Sequence, residues 1–265
     1  MNLQDISTQL LFTTVPITGK TVDNKSVFGT GFLFSYVVPT DSNISVPLLV
    51  TNYHVLENLS HGQIEFCVQR NGEPILSDSV KVTFDNNIVQ SSKLPELDIA
   101  VIPIAQTMAD LSNKGVDIFF KTINPELIPD EQAIQGFSAI ETLTFIGYPS
   151  GLYDGHNHLS IVRQGITATP LWNNYLGRSE FLIDGGVYPG SSGSPVFIYN
   201  QGAYAKENGI TIGNRLIFVG IIYGTQVNND SAFLNLGVAI NSWSFYNALK
   251  SHLKPFLDKE NLPQP

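Results

Sequence analysis

The sequence predicts an all-β protein that ends in a single helix. Charged residues are sparse, at 14% of the chain. Gly and Pro are frequent, and the apolar residues fall in short runs broken by polar or Gly/Pro punctuation, a pattern of strands and turns rather than helical bundles. At 265 residues the chain can bury a sizeable core, either as one large all-β unit or as two small barrels sharing a cleft.

From Leu10 to about Ile104 the runs read as strands, for example Val27-Phe28-Gly29-Thr30-Gly31-Phe32-Leu33-Phe34 and Val46-Pro47-Leu48-Leu49-Val50. The segment 105–140 reads as a linker, with a short helix over Ala105 to Lys114 and a Pro-bounded loop from Asn124 to Asp130. A second strand-rich half covers 141–241 and includes Leu143-Thr144-Phe145-Ile146, Ile161-Val162-Arg163 and Leu216-Ile217-Phe218-Val219. Each half, 1–104 and 141–241, has the length of a small barrel. In the tail, 242–265, Phe245, Leu249, Leu253 and Phe256 share one helical face that Pro255 should end or kink. No internal repeat or low-complexity tract interrupts this plan.

A formal net charge of −9 without any Lys/Arg run gives no electrostatic footprint for nucleic acid or an anionic membrane, so neither is expected as a partner. No apolar run approaches the ~18 residues of a membrane span. Cys67 is the only cysteine, which excludes an intrachain disulfide and fits a reducing compartment. The start Met1-Asn2-Leu3-Gln4-Asp5 lacks a charged segment followed by an apolar one, so a soluble, cytoplasmic protein is expected. His156-Asn157-His158 has no cysteine near it and follows the turn Asp154-Gly155, so it reads as a surface loop; no metal or cofactor is expected. Cys67, inside Ile64-Glu65-Phe66-Cys67-Val68, reads as a structural thiol.

Three segments carry chemistry. In Tyr188-Pro189-Gly190-Ser191-Ser192-Gly193-Ser194-Pro195, glycines at 190 and 193 let the backbone fold tightly around Ser192. The N–H groups of Gly190 and Ser192 can then converge on one developing oxyanion. Leu48-Leu49-Val50-Thr51-Asn52-Tyr53-His54 reads as a buried strand ending in an imidazole, the simplest general base near neutral pH. Glu96-Leu97-Asp98-Ile99-Ala100-Val101 opens an apolar strand with a carboxylate able to fix a histidine tautomer. Each alone has an ordinary reading, as a turn, a structural histidine and a strand cap. Together they stand in the chain order His, Asp, Ser.

That order, with Thr51-Asn52-Tyr53-His54, Asp98-Ile99-Ala100-Val101 and Gly190-Ser191-Ser192-Gly193-Ser194-Pro195, resembles the chymotrypsin-like serine peptidases. Gly29-Thr30-Gly31-Phe32, Phe145-Ile146-Gly147-Tyr148-Pro149 and Gly237-Val238-Ala239-Ile240 bring it nearer the bacterial Deg-type and glutamyl-endopeptidase-like branches. The resemblance implies two six-stranded antiparallel barrels with a C-terminal helix. It also implies a serine endopeptidase using Ser192 as nucleophile, His54 as base and Asp98 to orient the histidine, with an oxyanion hole from Gly190 and Ser192. By the same resemblance, Gly220-Ile221-Ile222-Tyr223-Gly224 is the strand that pairs with substrate backbone, and Gly186, Val187, Tyr188, Tyr223, Gly224 and Gly237 line the primary pocket. None of these is charged, which implies a preference for apolar or small substrate side chains.

Departures from the family qualify this. Ser191 stands where cleavage-activated trypsins keep an aspartate, so zymogen activation of that type is not expected. Nothing after Ile240 is long enough for the PDZ domain of Deg-type enzymes. Ile222 replaces the histidine shared by glutamyl endopeptidases, which argues against their route to Glu selectivity. The expected partners are a protein or peptide substrate and, for control in a cytoplasm, an activating protein that orders the oxyanion loop, unless a narrow substrate range suffices. The rival readings are a catalytically silent barrel serving as a binding or scaffold module, and an α/β-hydrolase esterase, whose order Ser, acid, His is not the one present.

Overall fold

The computed structural model describes residues 1–39, 41–84, 89, 92–206, 209–227 and 233–260. Fifteen strands are described. In the first half these are β1 (Thr14–Thr21), β2 (Ser26–Val38), β3 (Asp41–Thr51), β4 (Leu59–Arg70), β5 (Glu73–Phe84), β6 (Ala100–Pro103) and β7 (Asp117–Phe119). In the second they are β8 (Thr142–Gly147), β9 (Ile161–Thr167), β10 (Glu180–Asp184), β11 (Pro195–Asn200), β12 (Ala203–Lys206), β13 (Gly209–Ile212), β14 (Arg215–Val227) and β15 (Phe233–Asn241). Helices α1 (Ile6–Leu10), α2 (Tyr53–Leu56), α3 (Ala105–Asn113), α4 (Glu131–Gln135) and α5 (Ser242–Glu260) punctuate them.

The second half closes into a six-stranded antiparallel barrel in the order β10-β15-β14-β11-β8-β9. The first half is a sheet in the order β5-β4-β1-β2-β3-β6, and β7 adds to β4 as a seventh strand through Cys67↔Phe119 and Val68↔Ile118. The expectation of six strands is therefore exceeded, because the linker contributes a strand of its own. Ile118 and Phe119 are buried, so pairing with β4 satisfies their backbone groups. The rest of the linker holds α3 and a short 3-10 turn over Pro125–Leu127.

Period-2 alternation decides what each strand buries. Along β2 and β3, Phe32, Phe34, Leu48 and Val50 face a core shared with Phe218 and Ile221 of β14 and Phe245 and Leu249 of α5. Their neighbours Leu33 and Leu49 face the other way, into the first sheet's own core with Ile17, Leu56 and Phe66. In the barrel, Val196 and Ile198 point inward with Phe145, Phe181 and Ile183, while Phe197 points to the shared core. Edge-to-face pairs such as Phe32–Phe218 at 5.5 Å and Phe34–Phe245 at 5.3 Å knit that middle layer. Each fully buried Phe there contributes about 1.5–3 kcal/mol. This layer holds the two halves in fixed register.

Helix α5 supplies Phe245 and Leu249 as its apolar stripe. It runs on through Pro255 to Glu260, so of the expected end or kink at the proline the end does not occur. Ser251, whose carbonyl the proline leaves without its helical partner, is exposed and can bond water. The side chain of Phe256 lies outside the described residues. Among the described residues, no helix is long and apolar enough to cross a membrane.

Candidate active site

Strand β3 ends at Thr51, and His54 sits in the first turn of α2 rather than at the strand end. The short helix turns the imidazole toward the loop before β6, which carries Asp98. Both Asp98 oxygens are engaged: Oδ1 accepts the His54 backbone N–H at 2.9 Å, and Oδ2 lies 2.5 Å from His54 Nδ1. The Asp98 carbonyl in turn accepts from Asn52 Nδ2 at 2.8 Å and from the Tyr53 N–H at 3.3 Å. Four bonds therefore tie this loop to the histidine segment, which fixes the ring's position. With Nδ1 donating to the carboxylate, Nε2 is left as the acceptor.

The serine loop is seated on β2. Thr30, fully buried, donates its N–H to the Ser192 carbonyl at 2.9 Å and its hydroxyl to the Gly190 carbonyl at 2.9 Å. The same hydroxyl accepts the Tyr148 N–H at 3.0 Å, while the Thr30 carbonyl accepts Thr51 Oγ1 at 2.7 Å. Gly193, at φ +90°, is where the loop presses closest: a Cβ there would stand 1.9 Å from the Thr30 oxygen. The Gly193 N–H donates to the Ile222 carbonyl and the Ile222 N–H to the Ser194 carbonyl, at 2.8 and 2.9 Å, which anchors the loop to β14 as well. Ser191, in place of the trypsin aspartate, is buried and accepts the Tyr188 N–H at 3.3 Å inside the loop itself.

Among the described residues, the N–H groups of Gly190 and Ser192 donate to no protein acceptor. The Ser150 N–H donates to the Pro189 carbonyl at 2.5 Å, and Ser150 holds the left-handed conformation (φ 54°, ψ 25°). In a trans peptide the next N–H points opposite the carbonyl, so Ser150 aims the Gly190 N–H away from itself. The Ser192 hydroxyl donates to the Tyr223 carbonyl at 3.4 Å and makes no hydrogen bond to His54. The expected series of bonds from hydroxyl to imidazole to carboxylate is thus complete on the Asp98 side only. Tyr223 falls where the β14–β15 register shifts, between Ile222 and Gly224, and this bulge frees its carbonyl from the ladder.

The pocket residues behave unequally. Ile222 is fully buried in the barrel core, and both its backbone groups bond the serine loop, an arrangement that suits a supporting residue. Tyr223 donates its hydroxyl to Glu180 at 2.9 Å, and burial with that neighbouring carboxylate pushes its pKa up to about 12. Val187 fills the space beside Gly237, while a Cβ at Gly224 would meet nothing within 4 Å. A charged residue lies beside these positions. Arg163 of β9 brings Nη2 to within 2.5 Å of where a Gly186 Cβ would stand, and its guanidinium lies 4.8 Å from the Tyr188 ring centroid. The sequence assigns no role to Ser150 and none to Thr30 beyond its place in Gly29-Thr30-Gly31-Phe32, where a lone Thr between two glycines in an apolar strand is the one visible signal.

The other segments singled out in the sequence lie apart from these contacts. His158 pairs with Glu65 at 3.1 Å, and Asp154 accepts from the backbone of His156 and Asn157 as a turn. Cys67 is half-buried on β4, and burial pushes its thiol pKa up, away from reactivity.

A family model described as the trypsin-like peptidase domain matches residues 29–204, a span that holds His54, Asp98 and Ser192. No match is found among curated proteins. Solved structures that the chain resembles include an inactivated protease paralogue of the scabies mite, S-I1, at 13% identity over 93% of this chain and 96% of that one, with a TM-score of 0.51. HL collagenase follows at 11% identity, 93% and 95% coverage and a TM-score of 0.51. The active form of the Rv3671c protease from M. tuberculosis has 14% identity, 98% and 85% coverage and a TM-score of 0.43. At such identities the scabies mite paralogue and HL collagenase speak for the fold alone, whereas the family match covers most of the chain. The chain belongs to the trypsin-like peptidase domain family and is a serine endopeptidase of chymotrypsin-like fold.

Proposed function

We propose that peptide-bond hydrolysis in this chain runs through an acyl-enzyme on Ser192, with His54 as the base and Asp98 as its orienting acid. The observation that carries the reading is the two-point grip of Asp98 on His54, which leaves Nε2 free to accept a proton. A rotation of the Ser192 side chain about χ1, away from the Tyr223 carbonyl, would release Oγ to approach that nitrogen. As Oγ attacks the substrate carbonyl carbon, its proton passes to Nε2 and the Asp98 carboxylate stabilises the imidazolium. The carbonyl π electrons move onto oxygen, where the unengaged N–H groups of Gly190 and Ser192 receive the negative charge. Collapse breaks the C–N bond, and the imidazolium gives its proton to the leaving amine. Water then repeats the sequence on the ester and returns Ser192.

A fluorophosphonate probe tests this directly. Covalent labelling of the wild type and none of Ser192→Ala is expected; folded wild type that stays unlabelled would favour a silent scaffold, the state implied by the name of the scabies mite paralogue.

The setting we propose is the cytoplasm of a bacterium, with activity held in check by a narrow substrate range. The lone, half-buried Cys67 is compatible with a reducing compartment. Narrow range is preferred to an activating protein partner because Ser150 already holds the Pro189–Gly190 peptide in the donating orientation. Rapid digestion of casein by the purified chain would overturn the narrow range.

A further inference from the structure

We infer that Arg163 makes this peptidase select an acidic side chain at the substrate residue whose carbonyl is attacked. The inference rests on the catalytic reading above and adds the substrate class to it. Strand β9 carries Arg163 opposite Phe145 of β8, inside the register that closes the barrel behind the serine loop. Its guanidinium occupies the space that a side chain at Gly186 would need, and it stacks on Tyr188. Gly186 and Tyr188 lead directly into Pro189, Gly190 and Ser192, so the cation borders the chain segment that presents the nucleophile and its oxyanion donors.

What makes this a site is the missing counter-ion. Arg163 is half-buried, and among the described residues no carboxylate or carbonyl accepts from it. Arg215 shows how such a group is normally satisfied: it binds Glu141 at 2.6 Å and Asn200 at 2.8 Å. The carboxylates near the Arg163 wall are otherwise disposed, Glu180 accepting the Tyr223 hydroxyl and Asp184 lying exposed on β10. A guanidinium drawn partly out of water without an acceptor is unfavourable, and a carboxylate supplied by substrate relieves it through two parallel charge-assisted bonds. Pro189 to Ser192 would then hold the scissile carbonyl while Arg163 holds the adjoining side chain. Acid selection by this route comes from β9 and needs no histidine at position 222.

The test uses full-length protein and peptides identical except for Glu, Gln, Leu or Lys at the attacked residue, with fluorophosphonate labelling of the same preparations. Glu is expected to exceed its uncharged isostere Gln by about 10-fold or more in kcat/KM, the scale of a hydrogen bond to a charged group. Arg163→Gln is expected to collapse the Glu/Gln ratio toward one, and Arg163→Glu to shift preference to Lys. Labelled wild type that cleaves Glu and Gln peptides equally, or an Arg163→Gln protein that keeps the wild-type ratio, overturns the specificity while the catalytic reading survives. Folded wild type that takes no label overturns both. A wild-type ratio near one overturns the inference even where a variant fails to fold.

Discussion

The contact between the serine loop and β2 can be broken with one methyl group. In Gly193→Ala the added Cβ would stand 1.9 Å from the Thr30 carbonyl oxygen and 2.7 Å from Thr51 Oγ1, and neither is the free end of a flexible side chain. The φ of +90° adds about 1–2 kcal/mol of backbone strain for any L side chain. Relief requires the loop to lift, which breaks the Thr30 N–H to Ser192 bond and disturbs the Thr51 hydroxyl's bond to the Thr30 carbonyl. Leaving such buried groups unsatisfied costs about 1–3 kcal/mol each. The sum, roughly 3–8 kcal/mol, is comparable to the whole stability of a typical domain, about 5–15 kcal/mol. Urea unfolding is expected to show a large drop in midpoint, and whatever remains folded should label poorly with fluorophosphonate. Gly224→Ala is the control, since its Cβ would meet nothing within 4 Å; its midpoint should shift by no more than about 0.5 kcal/mol in equivalent stability. A Gly193→Ala protein that unfolds at the wild-type midpoint and labels at the wild-type rate would refute the seating of the loop on Thr30.

Two further substitutions probe the catalytic geometry. Asp98→Asn keeps an oxygen for the His54 backbone N–H but cannot hold the proton on Nδ1, so kcat should fall by about 10³–10⁴-fold with little change in thermal stability; a loss under about 10-fold would refute the orienting role. Ser150→Val disfavours the left-handed backbone and releases the Pro189 carbonyl, so the Gly190 N–H loses its aim. The expected loss is about 10²-fold in kcat with KM nearly unchanged, the signature of a donor used only in the transition state. Ser150→Gly, which keeps both the N–H and the backbone conformation, should retain a kcat far above that of the Val variant; equal losses in the two would show that the Ser150 side chain, not its backbone, matters.

The residues legible in the sequence share one property: their local surroundings constrain them. Gly190 and Gly193 flank Ser192 within four positions, and both do adopt positive φ there, as a tight turn around a nucleophile requires. Alternation along β2 and β3 could be read because each face is buried against a different core, so a register slip would expose Phe32 and Phe34. The place of Ile222, in the barrel core with both backbone groups on the serine loop, and the bulge beside it at Tyr223 were not legible, because a bulge has no reliable sequence mark. Strand β7 was hidden for a related reason, since three residues, Asp117 to Phe119, are too few to show a period and become a strand only through the β4 edge they cover. Arg163 is the extreme case. Nothing near it in the chain distinguishes it from a solvated strand arginine, and its meaning comes entirely from Gly186, whose lack of a side chain opens the space the guanidinium fills. The two positions constrain each other. Any side chain at Gly186 would have to displace the guanidinium, so the glycine and the charge are one feature of the pocket wall, split between β9 and the approach to the serine loop.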